Sequence, residues 1–519
     1  MLATQSNRLG FVVAGLLLGI FVAAIDNTIV ATAMATIVSD LGGMEKFVWV
    51  TSAYLVTEMA AMPIFGKLSD MYGRKRFFML GIGLFLLGSI LCGTAHSIVE
   101  LSIYRAIQGI GGGALVPIAF TIVFDVFPPE KRGKMGGLFG AVFGTSSLFG
   151  PLLGAYLTDH IHWRWIFYIN LPLGLIALAL VYLFYRESME HSKQQIDWWG
   201  ATTLVGSIVC LMFALELGGQ EYAWDSTAII GLFSISAALM AVFLYVETKA
   251  KEPIISYDMF RKRLFAASTV IGLLYGAGFI TFAMYIPIYI QGVTGGTATQ
   301  SGLFLLPMTL GSVVAAQLGG MSVGRTSYRN VMLFSAVIFI IGTLLLGTIT
   351  PDTPSFLLTI YLIIAGLGVG FSFSVLGMSA IHHFDVRQRG SANSTMAFLR
   401  SLGMTVGLTV FGILQRNLLK DDLSSVFSGG GAPRAGTDQF GDVRQLLSPE
   451  NRAQIPTDVM DKIVDALSSS ISTMFLWAII PAGLSLVAVF FMGNDRLIIP
   501  SRGQAGKAQQ EASVSSQKR

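Results

Sequence analysis

Asp26, Glu58, Arg105 and Arg400 each stand inside a long apolar run, where an ionisable side chain is costly and marks a functional hypothesis. Asp26 lies in Ala24-Ile25-Asp26-Asn27-Thr28-Ile29-Val30, about 17 residues into its run and so roughly 25 Å along a helix. Arg105 enters from the opposite end of a later run and reaches a similar depth. The two can pair. A proton then competes with the guanidinium for Asp26, or the pair is a permanent structural one. Glu58 falls midway through the second run, where a carboxyl either exchanges a proton or stays neutral and donates one hydrogen bond. Arg400 stands roughly 14 Å into a late run with no acid in the second-half runs to neutralise it. If that run faces the second one, Glu58 and Arg400 meet at similar depth.

A second group is polar and sits between runs. Gly66-Lys67-Leu68-Ser69-Asp70-Met71-Tyr72-Gly73-Arg74-Lys75-Arg76 is a tight turn with four cations around one carboxylate. Gly66 and Gly73 permit the sharp reversal. Asp125, at the end of the fourth run, is a candidate partner for Arg74 and would join Asp70 in a charge cluster; the alternative is plain interfacial solvation. The fifth run carries Gly140, Gly144, Gly150-Pro151 and Gly154 at helical spacing, a smooth face for close helix approach with a proline that permits a bend. Gly109-Ile110-Gly111-Gly112-Gly113 is no phosphate loop, because it lies mid-run with no strand before it. Cys92 and Cys210 lie inside apolar runs and read as buried small hydrophobes, and no metal-ligand set is expected.

The elements that must position these residues are membrane helices. The 519 residues are 53% hydrophobic and only 12% charged, with a mean hydropathy of +0.67. A soluble chain would carry about a quarter charged residues. At roughly 20 residues per span, the candidates number about fourteen: 10–32, 47–68, 77–95, 99–124, 135–158, 165–185, 198–217, 227–246, 266–290, 302–321, 331–349, 356–379, 391–415 and 472–493. Lys and Arg favour alternate loops roughly three to one, which predicts both termini inside and an even span count. Arg8 leads into the first run with no cleavage-site pattern, so that run reads as a retained span. Gly319-Gly320-Met321-Ser322 before Arg325 echoes the Gly66 turn, with Val323 in place of Asp70, as in a duplicated transporter. The expected partition is a six-helix bundle at 1–190, an inserted helix pair at 191–250 and a second six-helix bundle at 251–495. A long outer loop spans 416–470, in which 456–467 forms a short amphipathic helix on the membrane surface or a mobile linker. A disordered tail occupies 496–519.

Together these motifs resemble the fourteen-helix drug:proton antiporter branch of the major facilitator superfamily, the Bacillus-type multidrug efflux pumps. Residues 66–76 look like the helix 2–3 loop motif and Arg105-Ala106-Ile107-Gln108-Gly109 like the helix 4 motif. Gly140 to Gly154 is similar to the antiporter motif of helix 5, Asp26 to Val30 to the helix 1 motif, and Trp163 to Pro172 to the start of helix 6. The resemblance implies an all-α major facilitator fold in a bacterial plasma membrane. It assigns proton coupling to Asp26 and Arg105, to which Glu58 is added on depth. It assigns a cytoplasmic gate to Gly66, Asp70, Gly73, Arg74, Lys75, Arg76 and Asp125. Tyr54, Gln108, Tyr285, Asn393 and Arg400 are the expected cavity residues for small amphipathic substrates. The expected transporter is a monomer driven by a proton gradient, with no cofactor, no catalytic residue and no nucleic-acid partner. A lipid or metabolite exporter of the same fold, or a membrane sensor, are the alternatives.

Overall fold

A computed structural model of the chain describes residues 2–42, 46, 48–187, 196–219, 221–427 and 457–497. These form helices α1 (Leu2–Leu41), α2 (Val48–Tyr72), α3 (Arg74–Thr94), α4 (Ile98–Val126), α5 (Pro129–His160), α6 (Trp165–Tyr168), α7 (Asn170–Phe184), α8 (Trp198–Leu217) and α9 (Thr227–Glu247). They continue with α10 (Tyr257–Arg261), α11 (Arg263–Gly292), α12 (Ala298–Ser322), α13 (Tyr328–Leu346), α14 (Ser355–Ile381), α15 (Arg389–Phe427), α16 (Thr457–Trp477) and α17 (Ile479–Phe490). Among the described residues there is no strand beyond one isolated bridge, Gly218 to Tyr222. Among the described residues, thirteen helical stretches are long and apolar enough to cross a membrane, and α2 adds a further long helix of 25 residues.

Local sequence sets the boundaries. Gly73 alone separates α2 from α3, at a φ of 108° that a residue with a Cβ resists. Ser97 opens α4 by accepting the Glu100 N–H at 3.2 Å, while the Glu100 carboxylate accepts from the His96 N–H at 2.9 Å. Thr297 and Gln300 form a full capping box on α12.

The helix pairing repeats. In the first bundle α1 packs on α5 and α7, and α4 on α2 and α3; in the second, α11 packs on α15 and α17, and α14 on α12 and α13. The bundles meet along two seams, α2 against α15 and α5 against α12. The inserted pair α8–α9 docks on the first seam. Leu204, Ile208, Met212 and Phe243 share one buried cluster with Met59 and Met62 of α2 and Phe398 of α15. At the far end of α2, the Glu216 carboxylate accepts a hydrogen bond from Ser52. Glu216 is therefore a docking residue for α8.

The Trp163-Arg164 stretch is an anchor. The Trp163 indole donates to Asp40 Oδ2 at 2.8 Å, and the Arg164 guanidinium lies 4.4 Å from the Trp163 ring and donates to the Ala95 carbonyl. The Trp163 hydrogen bond and then the Arg164 charge hold the Asp40 carboxyl below its usual range.

The expected outer loop differs. Residues 416–427 continue α15, and the Val459/Ile463/Leu467 stripe belongs to α16, which runs on to Trp477. Ile463 and Leu467 are buried rather than laid on a membrane surface, and Leu467 is part of the second bundle's core. An apolar stripe satisfies either neighbour, and here protein supplies it. Residues 428–456 of the expected loop and 498–519 of the expected tail lie outside the described residues.

Candidate functional site

Asp26 and Arg105 form a fully buried ion pair between α1 and α4. The carboxylate is gripped from other directions as well. Asp26 Oδ1 accepts from Gln108 Nε2 at 2.8 Å and from Asn170 Nδ2 at 2.8 Å, and both amides also donate to Ser89 Oγ, at 2.7 and 3.1 Å. Arg105 donates to Gln108 Oε1 at 2.8 Å and to the Val50 carbonyl at 3.3 Å, and its guanidinium lies 4.1 Å from the Tyr54 ring. A proton arriving at Asp26 competes with the Arg105 charge and with these donors.

The glycines of α4 make this convergence possible. A Cβ at Gly109 or Gly113 would run into the Tyr54 and Glu58 carbonyls of α2, and one at Gly111 would sit 2.6 Å from the Gly81 carbonyl of α3. A Cβ on Gly88 of α3 would lie 2.6 Å from Gln108 Cα. Three helix backbones thus close around one buried charge pair. The run with the look of a phosphate loop is a packing surface.

Glu58 stands one turn beyond Tyr54 on α2 and is partly buried. Arg105 and Asp26 are the charges that act on it, and among the described residues it makes no hydrogen bond or ion pair. The expected meeting with Arg400 does not occur. Arg400 donates to the Ser372 carbonyl at 3.1 Å and lies 4.8 Å from the Phe373 ring, with no carboxylate within ion-pair distance among the described residues. Equal depth does not fix rotation about the helix axis, and the two side chains turn to different neighbours.

The second cluster closes the other end of the α2–α15 seam. Asp70 Oδ1 accepts from Arg74 Nη2 at 3.1 Å and from the Gly390 N–H at 2.9 Å, while Oδ2 accepts from the Ser391 N–H at 2.7 Å. Asp70 therefore sits on the N-terminus of α15, where unsatisfied amides and the helix dipole favour an anion. Arg74 also pairs with Asp125 and donates to the Val386 carbonyl; Asp125 in turn holds Arg389 at 3.0 Å. Lys67 pairs with Glu252 at 2.8 Å, in the segment after α9. Gly66 and Gly390 face each other, and a Cβ on Gly66 would lie 2.8 Å from the Gly390 carbonyl. Of the other expected gate residues, Gly73 makes the turn, Lys75 donates to the Tyr182 and Tyr185 carbonyls, and Arg76 is exposed.

The Asp125–Arg389 contact crosses between the bundles and is mostly shielded, so it should carry measurable energy. A double-mutant cycle with Asp125→Ala and Arg389→Ala, read by chemical denaturation, is expected to give a coupling of about 0.5–3 kcal/mol. Additive effects would remove the contact from the account.

The glycine face of α5 splits between two neighbours. Gly150 and Gly154 face Thr28 and Ile29 of α1, with Thr28 Cβ 2.8 Å from a Cβ built on Gly150; Pro151 lies between them in the helix. Gly140 and Gly144 face Val313 and Thr309 of α12 across the second seam. Of the expected cavity residues, Tyr54 and Gln108 are instead inside the Asp26 network with no exposed face. Tyr285 is buried in the second bundle's core, and Asn393 ties α15 to α4 by donating to the Pro117 carbonyl at 2.8 Å. Arg400 alone among them is half-buried.

Asn170, Ser89, Arg389 and the backbone amides of Gly390 and Ser391 were not singled out by sequence. Asn170 carried a signal, a lone amide opening an apolar run. The main-chain donors carried none.

The family model of the Major Facilitator Superfamily matches residues 16–408. The chain is 55% identical over 489 residues to Multidrug resistance protein 3 of Bacillus subtilis (strain 168), covering 94% of this chain and 96% of that protein. It is 34% identical over 499 residues to the Multidrug transporter protein MdtP of the same organism, covering 93% and 92%. Among solved structures, the human organic anion transporter MFSD10 matches with a TM-score of 0.58 at 15% identity, covering 93% of this chain and 99% of that one. The proton:xylose symporter XylE matches with a TM-score of 0.58 at 14% identity, covering 95% and 97%. Paired seams between two repeated helix sets, a carboxylate capping the opposite bundle, and these likenesses agree: the chain is a multi-pass membrane protein of the major facilitator superfamily.

Proposed function

We propose that this protein exports amphipathic drug-like compounds in exchange for protons. The observation that carries the reading is the buried Asp26–Arg105 pair with Glu58 beside it, in a chain that matches a multidrug resistance protein over nearly its whole length. Two carboxyls near one guanidinium can trade a proton. Asp26 is held by three side chains, whereas Glu58 makes no hydrogen bond or ion pair among the described residues and can change charge without dismantling a network. Protonating it alters the charge at the α2 face and biases the balance between the two bundle arrangements. The Asp70 end, rich in cations, is then the cytoplasmic side, and its cluster is the gate. The transporter works as a monomer with no cofactor, as two six-helix bundles at 1–190 and 251–495 joined by an inserted pair at 191–250.

The test is drug-induced proton release from everted membrane vesicles holding an interior-acid gradient, read by recovery of an acridine dye's fluorescence after ethidium or puromycin is added. Native protein should give release, and Glu58→Gln should abolish it while the purified variant stays monodisperse and thermally stable. Full release in Glu58→Gln would move the coupling elsewhere. No release with any compound, at verified expression, would turn the reading to a lipid or metabolite exporter.

A further inference from the structure

One group of side chains has ligand chemistry that the proposed export does not use. His382 and His383 follow α14, just before the 3-10 turn Val386–Gln388, and Asp495 follows α17. Their ligand atoms all lie within 4.8 Å of one another. His383 Nε2 and Asp495 Oδ2 are 3.3 Å apart. Two ligands held at about 2.0–2.1 Å on a tetrahedral zinc are separated by about 3.3 Å, so this edge is already formed.

The surroundings orient the third ligand. The Tyr328 hydroxyl lies 3.2 Å from His382 Nδ1 and holds the ring, as outer groups do for ligating imidazoles. The Tyr328 N–H donates to the Asp495 carbonyl at 3.0 Å, and Lys262 donates to the His383 carbonyl. Both chain segments are thereby fixed. His382 also borders a cavity of about 200 Å³ shared with Arg132, Tyr328 and Arg389.

We propose that His382, His383 and Asp495 bind one divalent transition-metal ion of the zinc class, with water completing a tetrahedron. Two imidazoles and a carboxylate suit zinc, nickel or cobalt, whereas magnesium and calcium prefer an all-oxygen shell. Lys262, Arg132 and Arg389 are cations close by, and they weaken the site without removing its donors. The ion ties the segment after α17 to the turn whose Val386 and Arg389 hold Arg74 and Asp125.

The experiment is isothermal titration of full-length purified protein, carrying no polyhistidine tag, with zinc chloride. One saturable equivalent is expected, with a dissociation constant raised about tenfold or more in His383→Asn and in Asp495→Asn. His96→Asn, an exposed control outside the cluster, should bind as the native chain does, and magnesium chloride should give no signal. Absence of saturable zinc binding, or zinc binding as tight as that of the native chain in both site variants, would overturn the proposal. Size-exclusion profiles report whether the variants are folded. The readout is binding alone, so it is independent of whether the protein exports drugs.

Discussion

Asp26→Asn is expected to abolish drug-dependent proton release and to destabilise the protein by about 3–5 kcal/mol, the cost of leaving a buried charge without its counterion. Arg105 is fully buried and its anion is Asp26. An asparagine has one acceptor oxygen where the carboxylate has two, and its NH2 would face either the Arg105 donor or those of Gln108 and Asn170. The loss should show as a lower unfolding midpoint in detergent. A second substitution separates charge from shape. Arg105→Gln added to Asp26→Asn removes the stranded cation, so the double variant should be more stable than Asp26→Asn alone, because removing both members of a buried pair costs less than removing one. Neither variant should transport. Asp26→Asn with native stability and native proton release would show that the pair contributes to neither.

Gly66→Val should stop transport by a different route and leave the fold intact. The clash it creates lies between bundles, against Ser394 and the Gly390 carbonyl of α15, and not within the first bundle's core. Closure of the Asp70 end needs that contact, since Asp70 must reach the Gly390 and Ser391 amides. With valine there, the equilibrium shifts toward the arrangement open at this end. A cysteine at Thr395, which is 1% exposed, reports the shift in a background lacking Cys92 and Cys210. Its labelling by a water-soluble maleimide should speed up by about tenfold or more, the change produced by ~1.4 kcal/mol of bias against closure. Unchanged labelling with transport retained would mean that α2 and α15 do not need this approach.

The same geometry explains how the gate can open at moderate cost. Asp70, Arg74 and Asp125 all belong to the first bundle, so their mutual pairing survives separation of the bundles. What breaks are the bonds to the Gly390 and Ser391 amides, the Val386 carbonyl, Arg389 and Glu252. No buried guanidinium is left alone.

Sequence showed the charges and not their orientation. Asp26 and Arg105 were legible because an ion in an apolar run needs a counterion, and their depths agreed. Asp70, Arg74 and Asp125 were legible because they flank spans on the same side. Glu58 and Arg400 matched in depth as well, yet a few residues of helical rotation send them to different neighbours. Tyr54 and Gln108 have the chemistry of ligand-binding residues and serve instead to surround a charge pair. The α15 amides that receive Asp70 have no side-chain signature, so the cross-bundle half of the gate could not be read in advance. The Val459/Ile463/Leu467 stripe was ambiguous because lipid and protein both satisfy an apolar face.

The docking of α8–α9 along α2 and α15 breaks the molecule's twofold likeness. At the α5–α12 seam, Phe149, Leu152, Leu310 and Val314 remain exposed and would face hydrocarbon. At the α2–α15 seam, the place of lipid is taken by Leu204, Ile208 and Met212. A greasy solute diffusing in the plane of the bilayer thus finds one flank of the inter-bundle boundary walled by α8 and, among the described residues, the other open to lipid.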